Sequence, residues 1–278
     1  MAREKKLVSA LSRRGPHKVL RGDLAFAGIR GVVYTPDSGF KLPGLAFGHD
    51  WLTGVEHYTA TLEHLASWGI VTAAADTERG LAPSVLNLAA DLDAVLRVIS
   101  SVRLGGGHIS VDPEKLGVAG HGFGGSAAIF AAAARPGVKA AAAVFPSVTK
   151  PSAEAAAASV RAPGLVLATP DDATSLRTDA LEVAAGWEGA VLRVIDHAKT
   201  SGLAENRGLR RLVGLPGSST RTQKAVRAQL TGFMLFGLTG DKKYRPFADP
   251  AADMAHCHAP DADAPPVTHE DRIVSLFR

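Results

Sequence analysis

The sequence predicts an α/β fold, with a mostly parallel central sheet and helices on both faces. Short apolar, β-branched segments alternate with longer helical patterns along the chain, the pattern of a parallel sheet covered on both sides. One of those helices carries a clear apolar stripe, Leu88, Leu92, Val95, Leu96 and Ile99, at helical spacing. The 278 residues, 46% hydrophobic and 21% charged, suit one sizeable domain with its own core.

In chain order, strands are expected at 31–34, 43–47, 70–75, 116–119, 138–145, 164–168 and 190–195. Helices are expected over 55–67, 84–102, 124–134, 175–185 and 222–238. The Gly- and Arg-rich stretch 201–221 replaces a short connection before the last helix. No internal repeat or linker divides the chain, which reads as a leader (1–18), a domain (19–248) and a tail (249–278). Pro250, Pro260, Pro265 and Pro266 mark the tail as extended chain crossing a surface.

The net charge of +4 is unevenly placed. Residues 1–30 hold eight Lys/Arg against Glu4 and Asp23, a local charge of +6, so the remainder carries −2. A basic leader can touch nucleic acid or anionic lipid, but a solvated terminus is the more frequent role, and nucleic acid is not an expected partner. The single cysteine, Cys257, allows no internal disulfide. The start lacks the apolar stretch of a signal peptide, and no apolar run reaches membrane-spanning length, so a soluble, cytoplasmic protein is expected.

Residues 116–125, Leu-Gly-Val-Ala-Gly-His-Gly-Phe-Gly-Gly, run from a strand through a glycine-rich turn into an alanine-rich helix. That is the setting of a nucleophile elbow, G-x-S-x-G, in which small flanking residues let the turn close and lift the central side chain above the sheet. The flanks are present as Gly120, Gly124 and Gly125, but the central residue is Gly122. A phosphate cradle is the alternative. No Lys-Ser/Thr follows, which excludes a P-loop, and a dinucleotide fingerprint belongs nearer the first strand.

With these residues in view, the chain resembles the α/β hydrolases, in the dienelactone-hydrolase-like branch near the bacterial polyester hydrolases and chlorophyllase-type enzymes. The similarity runs from about residue 19 to 249. It includes Leu45-Ala-Phe-Gly-His-Asp50, where the family builds half of its oxyanion hole, and His64-Leu-Ala-Ser-Trp-Gly-Ile70. Val111-Asp-Pro-Glu-Lys-Leu-Gly-Val-Ala-Gly120 and Thr239-Gly-Asp-Lys-Lys-Tyr244 also match. The resemblance implies an α/β-hydrolase fold and assigns the triad positions to Gly122 (nucleophile), Asp172 (acid, with Asp171 second) and Thr200 (base). His197 stands where a glycine is usual, and Asp50 where a glycine follows His49.

A triad needs the histidine to take the serine proton while the acid fixes its tautomer. Loss of the nucleophile alone costs on the order of a million-fold in kcat. The expectation is therefore a degenerate triad on a sound scaffold. The protein would be a non-catalytic small-molecule-binding, regulatory or structural one, with no cofactor or metal. A small acyl-bearing ligand, a protein partner or a homo-oligomer fits that role.

The alternative is an ester hydrolase or lyase-type enzyme using non-standard residues in the same pocket. That pocket is expected above the sheet, lined by His49, Asp50, Trp51, His121, Phe123 and His197 near Asp172. Ser126 is the nearest hydroxyl to Gly122, and a backbone bond is its expected role. His121 is expected to pack beneath the elbow. His256-Cys257-His258, with Asp261, Asp263 and His269, has zinc-ligand types but lacks a second compact ligand pair, and reads as an ordinary polar tail.

Overall fold

A computed structural model of the chain describes residues 2–205 and 217–260. Nine strands form one sheet: β1 (Val19–Asp23), β2 (Gly31–Pro36), β3 (Gly39–Gly48), β4 (Val71–Ala75), β5 (Ile109–His121), β6 (Ala140–Val144), β7 (Gly164–Ala168), β8 (Ala190–Ile195) and β9 (Cys257–His258). Their order across the sheet is β1-β2-β4-β3-β5-β6-β7-β8-β9. The six central strands are mutually parallel, while β1, β2 and β9 run antiparallel to their neighbours. The fold is the expected α/β architecture, consistent with an α/β hydrolase.

Two apolar cores lie on the two faces of this sheet. On one, α1 (Ala2–Leu11), α2 (Thr59–Ser67) and the long α7 (Thr220–Thr239) pack through Leu7, Leu11, Leu62, Leu65, Phe233 and Met234. On the other, α3 (Val85–Ser101), α4 (Phe123–Ala134), α5 (Ala153–Ala157) and α6 (Ala180–Gly186) bury Leu88, Leu92, Ile99, Ile129, Val183 and Trp187. The stripe read in the sequence for α3 is buried, and Ser84 caps the helix by accepting from the Asn87 N–H.

Glycine decides how closely these layers approach. Trp187 lies against Gly164 of β7, where a Cβ would meet the indole at 2.5 Å, and its Nε1–H donates to the Ala162 carbonyl. Phe247 lies on Gly232 of α7 in the same manner, with 2.4 Å to a notional Cβ.

Several expectations need correction. The leader is not merely a solvated terminus: its first half is helix α1, whose Leu7, Val8 and Leu11 are buried against α2 and α7. Strand β1 and helix α5 escaped the sequence reading. The helix expected over 175–185 begins at Ala180, and the one over 55–67 splits into a 3-10 turn (Val55–Tyr58) and α2.

The described part of the tail is also more than surface chain. Cys257–His258 pairs with β8, and the buried guanidinium of Arg193 on β8 donates to the carbonyls of Asp249 (2.8 Å) and Ala252 (3.0 Å). Asp261, Asp263 and His269 lie outside the described residues. Among the described residues no helix is long and apolar enough to cross a membrane.

Candidate functional site

The elbow stands at the C-terminal end of β5, the central strand of the sheet. Gly122 adopts φ 55°, ψ −121°, a conformation that strains any residue with a Cβ. The turn closes because its flanks are glycine. A Cβ on Gly120 would stand 2.0 Å from the Gly124 carbonyl oxygen, and one on Gly124 would stand 2.2 Å from the Gly48 backbone. Strand β3 and helix α4 therefore touch backbone to backbone beside position 122.

Asp50, in the loop after β3, fills the space above that turn. Its Oδ1 accepts the N–H of Phe123 at 3.0 Å and the N–H of Trp51 at 2.8 Å. In a hydrolase elbow the oxyanion donors come from the residue after the nucleophile and from the loop after the third strand, the two segments in which Phe123 and Trp51 stand. A Cβ on Gly122 would lie 2.1 Å from the same Oδ1. The carboxylate thus holds an N–H from each of those segments and stands in the volume a side chain at 122 would need.

Beneath Asp50 runs a chain of hydrogen bonds. The Asp50 N–H donates to the Tyr58 hydroxyl (3.1 Å), and that hydroxyl donates to His121 Nδ1 (2.8 Å). His121 Nε2 lies 2.7 Å from the Thr200 carbonyl. A carbonyl only accepts, so Nε2 carries the proton and Nδ1 receives the tyrosine. His121 is fully buried, edge-on to Tyr58 and Phe145. The oxyanion loop, the elbow and the turn at Thr200 are thereby tied together.

Thr200 itself is exposed on a 3-10 turn (Thr200–Gly202). His197 is exposed at φ 57°, the left-handed backbone that explains why a glycine is usual there. Asp172 opens a 3-10 turn after β7, is buried, and accepts the Leu181 N–H at 3.2 Å on Oδ2. His49 is buried with its two ring nitrogens facing the Asp50 and Thr77 carbonyls. Ser126 Oγ donates to the Ser147 carbonyl at 2.6 Å.

The residues singled out in the sequence therefore separate by depth. His49 and His121 are floor beneath the elbow and do not line an open pocket. Asp50 and Phe123 are partly exposed and Trp51 is exposed, its Nε1 bonded to the Gly80 carbonyl at 3.2 Å. A cavity of about 540 Å³ opens elsewhere, between β1, β2 and the Val55–Tyr58 turn, and none of those six residues lines it.

The sequence reading missed Tyr58 and Glu205. Glu205 accepts the N–H groups of Ala60 and Thr61 at the start of α2 and pairs with Arg227 at 2.7 Å, holding the 200–205 turn to the helix. Neither residue stands in a motif.

At the tail, His258 Nδ1 meets Asp196 Oδ1 at 2.9 Å. Cys257 is buried beside Gln229, and burial raises its thiol to about 11, with Arg193 opposing the shift, so it holds its proton at neutral pH.

A parallel sheet with helices on both faces and a strained elbow at the end of β5 defines the α/β-hydrolase class. Within that class, a family model described as PET hydrolase-like matches residues 9–184, well over half of the chain, and the chain belongs to that family. The match takes in β3, the elbow and Asp172, and ends before Thr200. Among curated proteins none matches significantly.

Proposed function

We propose that this PET hydrolase-like protein has given up ester hydrolysis and uses the upper face of its sheet for binding. The observation that carries this reading is the Asp50 carboxylate, which takes both oxyanion donors and the space beside Gly122. A tetrahedral intermediate would find its donors occupied and a like charge in their place. Position 122 offers no nucleophile. Ser126 and His121, the nearest substitutes, are both buried and bonded to neighbouring groups.

Hydrolysis of p-nitrophenyl acetate and butyrate tests the reading, with Asp50→Gly/Gly122→Ser/Thr200→His measured beside the native chain. The aspartate is changed along with the glycine, because a serine at 122 would have to displace the Asp50 carboxylate. The expected result is turnover at the buffer rate by the native chain and measurable turnover by the triple variant. Native turnover that Ser126→Ala abolishes would overturn the proposal.

A further inference from the structure

The oxyanion position of a hydrolase is a donor site, with two N–H groups waiting for a negative oxygen. Here Asp50 Oδ1 satisfies those donors from within, so the position holds a partly exposed acceptor in place of waiting donors. Among the described residues, Asp50 Oδ2 has no hydrogen-bond donor, and no Lys, Arg or His stands within ion-pair reach of the carboxylate. Arg79, on a neighbouring loop, is committed to Asp76 (3.0 Å) and Glu56 (3.2 Å).

Exposed apolar side chains follow Asp50 in the chain and stand on the loop that Trp51 is bonded to. Trp51 is 47% exposed and its indole is held by the bond to the Gly80 carbonyl. Leu52, next in the chain, is 49% exposed, and Leu81, next to Gly80, is 83% exposed. Phe123 is partly exposed beyond Gly122. A carboxylate one residue away from an exposed indole whose N–H is anchored to Gly80 offers the two groups that favour an organic ammonium, which is weakly hydrated and attracted to an aromatic face. A hard divalent ion needs about six or more oxygen ligands, and one carboxylate oxygen does not supply them.

We infer that this rim binds organic monocations, an ammonium centre on a small apolar body, with Asp50 as counter-ion and Trp51 as the aromatic wall. The inference rests on the non-hydrolytic reading of the site, since an oxyanion would require Asp50 to leave the donors. It assigns the ligand a positive charge in place of the acyl group that the hydrolase resemblance suggests.

Choline and its neutral isostere 3,3-dimethyl-1-butanol separate charge from shape. Both are titrated into the full-length ¹⁵N-labelled chain, following the Trp51 indole N–H and the Phe123 amide. Choline is expected to shift both resonances saturably, and the alcohol to leave them in place. Asp50→Asn keeps an acceptor oxygen for the two N–H groups and should weaken choline binding roughly tenfold, the order expected when a charged partner is lost.

Trp51→Leu preserves the backbone bonds of Asp50, and should also weaken binding, read at Phe123. An equal response to the neutral alcohol, no saturable shift with choline, or unchanged affinity in Asp50→Asn would overturn the cation site. A chain that binds no choline and hydrolyses no ester loses only the cation site. Native ester turnover would sink the reading beneath it.

Discussion

The carboxylate of Asp50 sits at the N-terminal end of α4, where the helix dipole and unpaired N–H groups favour negative charge. The same field serves catalysis in a working hydrolase, where it is left empty until charge develops. Filling it from within removes that potential, and Gly122 is the residue that makes room. Tyr58 holds the arrangement from below, because its hydroxyl accepts the Asp50 N–H and is hydrogen-bonded to His121 Nδ1. Tyr58→Phe would take this partner from the partly buried Asp50 N–H and from the buried His121 ring, and should cost about 1–3 kcal/mol. Urea denaturation of the two proteins checks it, and equal midpoints and slopes would show that the chain of bonds contributes nothing.

Two features of this site differed in how far the sequence revealed them. Gly122 announced itself, because a G-x-S-x-G frame lacking its serine is visible in ten residues. Asp50 was legible only as a departure from pattern. That its oxygen lands on Trp51 and Phe123 depends on how β3 and α4 meet across Gly48 and Gly124, a contact between segments more than 70 residues apart.

At the scale of elements, helix α1 is the main surprise. Leu7, Val8 and Leu11 form a narrow apolar stripe among Lys5, Lys6, Arg13 and Arg14, and the charge dominates the segment's composition. Packing on α2 and α7 overrides that composition.

The contact brings a pH dependence. His64 of α2 is buried near the Leu11 carbonyl, and its pKa falls from 6.5 to about 4, through burial first and the charge of Arg227 second, with the Leu11 carbonyl opposing. Its Nε2 is buried with no hydrogen-bond partner among the described residues. The unfolded chain protonates this imidazole below pH 6.5, while the folded one does so only near pH 4. Stability is thus fully present above the unfolded value and is lost as pH falls through that window, by up to about 3 kcal/mol. Denaturation at pH 7 and pH 4.5 should show this loss in the native chain and a smaller one in His64→Leu. Equal losses would place the acid sensitivity elsewhere.

Across the whole molecule, the interior strands and the long helices were legible because each is apolar through several residues and bounded by turn chemistry. The edges were not. β1 is a five-residue edge strand with three residues exposed and none buried, and β9 is two residues recruited by pairing with β8 and by the buried Arg193 behind it. Neither carries a local pattern, since what defines each is a distant neighbour. The scaffold of a PET hydrolase-like protein is therefore present, and the function proposed above holds that the position where hydrolysis would begin is closed from within. A fluorophosphonate probe reads that contrast over every hydroxyl in the chain, because it labels a serine only when a base and an oxyanion site activate it. Intact-mass measurement after incubation should find the native chain unlabelled and Asp50→Gly/Gly122→Ser/Thr200→His labelled once, at residue 122. Stoichiometric labelling of the native chain, mapped to Ser126 or any other serine, would contradict the account.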